Sequence, residues 1–254
     1  MFISPPFGTW FNPPGTISIR GSYTLKPRGG LFGQIIKTLR YSFAQQGWVN
    51  KIGLRNAGID SAIQKFRDET AEQRQRHITS IAIMKQEEIP VFLEKIPDNM
   101  SLEINVSCPN TEHSLVTQDI HKFLNPARKW CIVKLAPCTN QRNDQYNQQI
   151  DTYYQQGFRQ FNCGNTYPVK EGGLSGITLI PYHSRTIRYI KQKYPDTVVI
   201  ATGGIRNYKD VLRYRKCGAD HISVSSVMFN PYLFYRLYTD VMRLDTGRMG
   251  STGM

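Results

Sequence analysis

The sequence predicts a closed parallel (β/α)8 barrel formed as one domain over residues 1–254, and three observations predict it. Strand-like and helix-like segments alternate along the chain, with no linker, low-complexity tract or internal repeat. Eight strand candidates can be counted, with a helix candidate in nearly every gap. Glycine-rich turns follow the late strands, where a barrel of this kind binds phosphate, which favours the closed barrel over an open doubly wound sheet.

The strand candidates are residues 2–5, 16–22, 78–84, 102–107, 131–136, 158–163, 198–201 and 221–227, short runs rich in β-branched and aromatic residues. The helix candidates are residues 57–74, 87–96, 120–130, 145–156, 180–193, 208–217 and 232–242. The gap between the first two strands is too short for a crossover helix. The first barrel helix is therefore expected to be missing or reduced to a turn. The barrel wall exposed there favours a partner chain, and a homodimer is expected.

The 254 residues suffice for one barrel, and 40% of them are hydrophobic. No 18-residue apolar run is present, so no transmembrane helix is expected. The first residues lack the pattern of a signal peptide, and a cytoplasmic location is expected. Five cysteines, an odd number without C-x-x-C spacing, argue against a disulfide framework or a metal site and for a reducing compartment. The net charge is +13, with no acid before Asp60 and a second basic run from Arg185 to Lys216. This is read as a solvated surface with a few phosphate ligands, not a nucleic-acid surface, because no nucleic-acid motif accompanies it.

Residues 102–110 are the most informative stretch. Leu102, Ile104 and Val106 alternate with Glu103 and Asn105, and Pro109 ends the ladder. A strand that runs into Ser107, Cys108 and Asn110, with Asn105 just inside, is poor core and good site. In a parallel barrel it falls at the C-terminal rim. Asn-Val-Ser-Cys-Pro-Asn resembles the active-site segment of the dihydroorotate dehydrogenase family, in its soluble class 1 form. The resemblance extends over nearly the whole chain. It implies a TIM barrel holding FMN.

The residues themselves offer what an FMN phosphate needs. Gly203 and Gly204 lie between an apolar strand and a helix, so backbone N–H groups can approach an anion at a helix N-terminus. Ser225 and Ser226 end the next strand, and Ser175 and Gly176 lie in a glycine-rich run before the preceding helix. These elements resemble, in the same order, the family's Gly-Gly-Leu-Ser-Gly, Gly-Gly-Ile and strand-eight elements. Lys134 lies inside an apolar strand and needs an anion or acceptor on either face. The family has a lysine here that contacts FMN, and its charge would stabilise the reduced, anionic flavin. Ser4, Gly21, Ser22 and Ser80 are similar to further flavin contacts, and Asn105 adds another.

Four amides, Asn50, Asn105, Asn110 and Asn165, recur at strand ends and loops, and suit a planar ring with amide edges. Asn50, Ile52, Gly53 and Leu54 look like the family's substrate loop. Asn165 and Thr166 look like its Asn-Thr/Ser segment. The resemblance implies oxidation of (S)-dihydroorotate to orotate, with Cys108 as general base and flavin N5 as hydride acceptor. Cys131, Cys138, Cys163 and Cys217 are read as small buried residues.

Three features depart from the family. The class 1 lysine at the end of strand two is missing, and Arg20 is a neighbouring candidate to replace it. Only residues 167–171 stand where the family has a long roof insertion. The first helix is reduced. Two rival readings follow: a reductase acting on tRNA, similar to the dihydrouridine synthases, and a non-catalytic flavin-binding subunit. The first would need Asn-x-Gly-Cys-Pro at the cysteine and a helical domain after the barrel.

Overall fold

The computed structural model describes residues 1–106, 119–138 and 143–249. In chain order the elements are β1 (Phe2–Ile3), β2 (Ile17–Tyr23), α1 (Leu31–Thr38), β3 (Arg40–Ser42), β4 (Gly47–Asn50), α2 (Ile59–Asp68), α3 (Ala71–Gln75) and β5 (His77–Ile81). There follow α4 (Glu88–Lys95), β6 (Leu102–Asn105), β7 (Cys131–Leu135), α5 (Asn143–Gln155), β8 (Gln160–Cys163), β9 (Tyr167–Val169) and β10 (Gly172–Gly176). The chain closes with α6 (Ile180–Lys193), β11 (Val198–Thr202), α7 (Tyr208–Lys216), β12 (His221–Val224) and α8 (Pro231–Met249).

Eight strands, β1, β2, β5, β6, β7, β8, β11 and β12, pair in that order and close into a parallel barrel. All eight correspond to the expected strands. The gap between β1 and β2 holds only a 3-10 turn, Phe7–Thr9, as expected for a reduced first helix. Outward-facing residues such as Ile104, Val133, Phe161 and Val199 pack under the helices in the main core. Inward-facing residues alternate with them. Phe2, Ile19, Ile78, Ile132 and Ile200 fill the lower barrel together with Trp130.

The phase of β2 is shifted by a bulge: Arg20 pairs with Thr79 and Tyr23 with Ile81, so two residues oppose Ser80. Ser22 consequently turns inward and Tyr23 outward. Gly21 takes φ +119°, and a Cβ there would lie 2.5 Å from the Ser80 carbonyl oxygen, so glycine is required.

Three expectations are corrected. Residues 57–74 form two helices instead of one. The chain is extended at Glu69, and Thr70 restarts it with a reciprocal capping box to Gln73. Residues 120–130 form a short 3-10 turn, Ile120–Phe123, and then loop. Pro126 disfavours helix at Asn125, and Arg128 donates instead to the carbonyls of Phe123, Pro97 and Met100. Third, the short segment at residues 167–171 is not a bare connection, because it opens a hairpin. β9 and β10 join β3 and β4 in a four-stranded antiparallel sheet, with Gly173 opposite Asn50 and Leu174 opposite Val49. α1 and this sheet are elements the pattern of the sequence did not indicate.

Candidate active site at the barrel rim

Two residues above the apolar floor, the same strands turn polar. Ser80 follows Ile78, Lys134 follows Ile132 and Thr202 follows Ile200 at the strand period of two. These side chains form one buried hydrogen-bonded chain. The Ser22 and Ser80 hydroxyls are 2.8 Å apart, and Ser80 donates to Glu103 Oε1 at 2.8 Å. Asn162 Nδ2 donates to Glu103 Oε2 at 2.6 Å, and Thr202 Oγ1 donates to Asn162 Oδ1 at 2.6 Å. Lys134 Nζ lies 3.4 Å from Glu103 Oε1. Glu103 is wholly buried and Lys134 is 7% exposed.

At the rim, Asn105 Nδ2 donates to Ser22 Oγ at 3.3 Å, and Asn165 Nδ2 donates to Asn105 Oδ1 at 3.2 Å. The Thr166 N–H is fixed by Asn165 Oδ1 at 2.9 Å. Gly173 packs so closely on Thr166 that a Cβ would lie 2.6 Å from Thr166 Oγ1. Asn50 Nδ2 reaches the Gly173 carbonyl at 3.5 Å, and Asn50 Oδ1 accepts the Ile52 N–H at 3.3 Å. The β4–β10 pairing thus hangs Asn50, Ile52, Gly53 and Leu54 beside the rim that carries Asn105, Asn165 and Thr166. Gly53 and Leu54 both take positive φ, +68° and +56°, which curls this loop back.

The glycine-rich turns also meet. Gly203 and Gly204 adopt φ of +97° and +75° ahead of α7, which Asn207 caps with a reciprocal box to Asp210. A Cβ on Gly204 would lie 2.8 Å from the Gly176 carbonyl oxygen, so the turn after β11 touches the strand that carries Ser175 and Gly176. Nearby, Ser4 and Ser223 share a hydroxyl contact of 2.6 Å, and Ser225 Oγ donates to the Pro5 carbonyl at 3.0 Å. Ser226 opens the 3-10 turn that follows.

Arg20 does not replace a rim lysine. It lies on the outer face of β2, where it contacts Glu69 and donates to His77 Nε2 at 2.9 Å. Cys108 and Asn110 lie outside the described residues. The other four cysteines are buried, and none is in a disulfide. Burial pushes Cys131 up to about 12 and raises Cys138 and Cys163 as well, so these three stay protonated and unreactive at neutral pH. No cluster of metal-ligating side chains occurs among the described residues, and no helix among them is long and apolar enough to cross a membrane.

Sequence reasoning missed Glu103, Asn162 and Thr202. The signal for Glu103 was present: with a period of two, a strand that turns Asn105 into the barrel also turns Glu103 inward.

These features define a polar site at the C-terminal rim of a parallel barrel, and comparison with known proteins places it. The family model for dihydroorotate dehydrogenase matches residues 15–243. The catalytic subunit of dihydroorotate dehydrogenase B (NAD(+)) from Thermotoga maritima is 28% identical over 203 residues, covering 71% of this chain and 72% of that one. The corresponding subunit from Halalkalibacterium halodurans is 26% identical, covering 87% and 78%. A putative dihydroorotate dehydrogenase A (fumarate) from Streptococcus agalactiae is 24% identical, covering 81% and 75%. The crystal structure of DHODH from Eimeria tenella in complex with ferulenol superposes with a TM-score of 0.67 at 18% identity, over 93% of this chain and 76% of that one, and shows the same fold. The chain belongs to the dihydroorotate dehydrogenase family. Enzymes of this family bind FMN and are oxidoreductases acting on a CH–CH group.

The residues present fit that cofactor. The paired positive-φ glycines lie ahead of a capped helix N-terminus and against Gly176, a backbone of the kind that binds phosphate through its N–H groups, with no space for side chains. Lys134 places a buried cation at the level of Asn105, its partner in β6–β7 pairing.

Proposed function

We propose that this chain, as one barrel domain over residues 1–254, oxidises (S)-dihydroorotate to orotate in de novo pyrimidine biosynthesis. The observation that carries the reading is the hydrogen-bonded Asn105–Asn165 pair at the C-terminal rim, above the buried Lys134–Glu103 pair. FMN, when bound, supplies an acceptor at N5 for the hydride that leaves substrate C6. Its phosphate would be held by the Ser175, Gly176, Gly203, Gly204, Ser225 and Ser226 segments, and its ring by Ser4, Gly21, Ser22, Ser80, Asn105 and Lys134.

The chain's own groups do the rest. Asn50, Asn105, Asn110 and Asn165 donate to and accept from the amide edges of the substrate and donate to its carboxylate. Ile52, Gly53, Leu54 and Thr166 close over it. Cys108, as thiolate, takes the C5 proton. An uncharged amide set suits a ring that presents both donors and acceptors, because each amide can match either. Trp10 and Phe11, 58% and 56% exposed where the first barrel helix is reduced, support pairing of two copies at that wall.

The test is the visible spectrum of the purified protein under anaerobic conditions. Yellow protein that bleaches on addition of dihydroorotate is the expected result. Yellow protein that does not bleach overturns the substrate. Cys108→Ala should keep the flavin and lose about 10²–10⁴-fold in the rate of bleaching, the usual contribution of a positioned base.

A further inference from the structure

The barrel interior holds one carboxylate for which the proposed reaction has no use. Glu103 is wholly buried, two residues before Asn105. Both of its oxygens are engaged: Oε1 accepts from Ser80 at 2.8 Å and lies 3.4 Å from Lys134 Nζ, and Oε2 accepts from Asn162 at 2.6 Å. Because Ser80 and Asn162 come from strands on opposite sides of the β6–β7 pair, the carboxylate is held from both flanks. Burying two charges costs several kcal/mol per ion before their attraction is counted, and an apolar pair of similar volume would fill the barrel at least as well. The pair is therefore poorly explained as a stabilising device.

Its placement suggests a different role. Lys134 pairs in register with Asn105 and Glu103 with Ile132, so the carboxylate sits one layer below the lysine and draws its ammonium down into the barrel. We propose that Glu103 is a positioning residue that acts through Lys134: it fixes the ammonium and offsets part of its charge, and so sets how readily a flavin at the rim is reduced. A cation near the ring favours the negative charge that arrives on reduction, and a carboxylate fixed against that cation weakens the effect. Glu103 thereby holds the flavin's midpoint potential below the value that Lys134 alone would give. The inference rests on FMN occupying this site and does not depend on the identity of the substrate.

The experiment is a dye-equilibration measurement of the midpoint potential, made without substrate on FMN-saturated wild type, Glu103→Gln, Lys134→Gln and the double variant. Glu103→Gln should shift the potential upward. That shift should largely vanish in the Lys134→Gln background, because the two residues act as one unit. An unchanged potential in Glu103→Gln overturns the proposal. So does an upward shift that persists undiminished without Lys134, since the carboxylate would then act on the ring directly. If Glu103→Gln does not fold, Glu103→Asp carries the test. Its carboxylate is withdrawn by one methylene and should shift the potential upward by less, and no shift there overturns the proposal. Wild-type protein that takes up no FMN would instead remove the flavin reading itself.

Discussion

The lower and upper halves of the barrel interior share four strands, β2, β5, β7 and β11, and differ in almost every property. Below, Phe2, Ile19, Ile78, Ile132 and Ile200 pack as dry core with Trp130. Above, Ser22, Ser80, Glu103, Lys134, Asn162 and Thr202 form a continuous polar chain across six strands. The floor gains free energy by excluding water, and any apolar residues of the right volume could supply that. The ring is stable only if each polar group finds its partner, so it specifies one arrangement and holds it rigid. Stability is thus concentrated below and chemistry above.

The largest effect expected on stability breaks the floor. Ile132→Ala empties part of a completely buried layer and should cost about 2–5 kcal/mol, read from the urea midpoint at unchanged m-value. FMN affinity of the protein that remains folded should stay near wild type. A parallel loss of affinity would show that floor and ring are not separable.

A smaller effect comes from the helix beneath the turn after β11. His183 of α6 is wholly buried against Gly203, and burial pulls its pKa down to about 4 from the ordinary 6.5. The unfolded chain binds this proton below pH 6.5 and the folded chain does not. Stability is therefore full above that pH and falls as pH drops from 6.5 toward 4, by on the order of 3 kcal/mol. Melting temperatures across that window should show the slope, and His183→Leu should flatten it.

The smallest effect concerns one bond of the ring. Thr202→Val keeps shape but removes the donor to Asn162 Oδ1, leaving a buried acceptor, at a cost of about 1–2 kcal/mol. The same substitution should loosen Asn162 against Glu103. A flavin spectrum identical to wild type would show that the ring tolerates the gap.

How much of this was legible in the sequence depends on the range of the forces involved. All eight barrel strands announce themselves by local pattern, because each is apolar on both faces or alternates cleanly. The four-stranded sheet does not. β9 is Tyr-Pro-Val and β10 is Gly-Gly-Leu-Ser-Gly, and β10 pairs with β4 more than a hundred residues earlier, so nothing local marks it. The short hairpin at residues 167–171 was correctly seen as short, but its consequence depended on that distant partner. Of the candidate site, Asn105, Lys134 and the glycine turns were legible by motif. Glu103 was overlooked because a charged residue in an alternating strand ordinarily faces solvent, and a closed barrel has no solvent on its inner side. The expected helix at residues 120–130 failed on one proline, whose effect outweighed the apolar spacing around it.

The bulge at Gly21 also limits how the pocket can be altered. A residue with any side chain at that position would collide with the Ser80 carbonyl and would have to accept a backbone angle of +119°. Placing a long basic group there would first require the extra residue to be removed and the strand re-registered, and re-registering would turn Ser22 out of the polar chain. No single substitution at Gly21 can therefore add a side chain to the polar chain while leaving Ser22 in place.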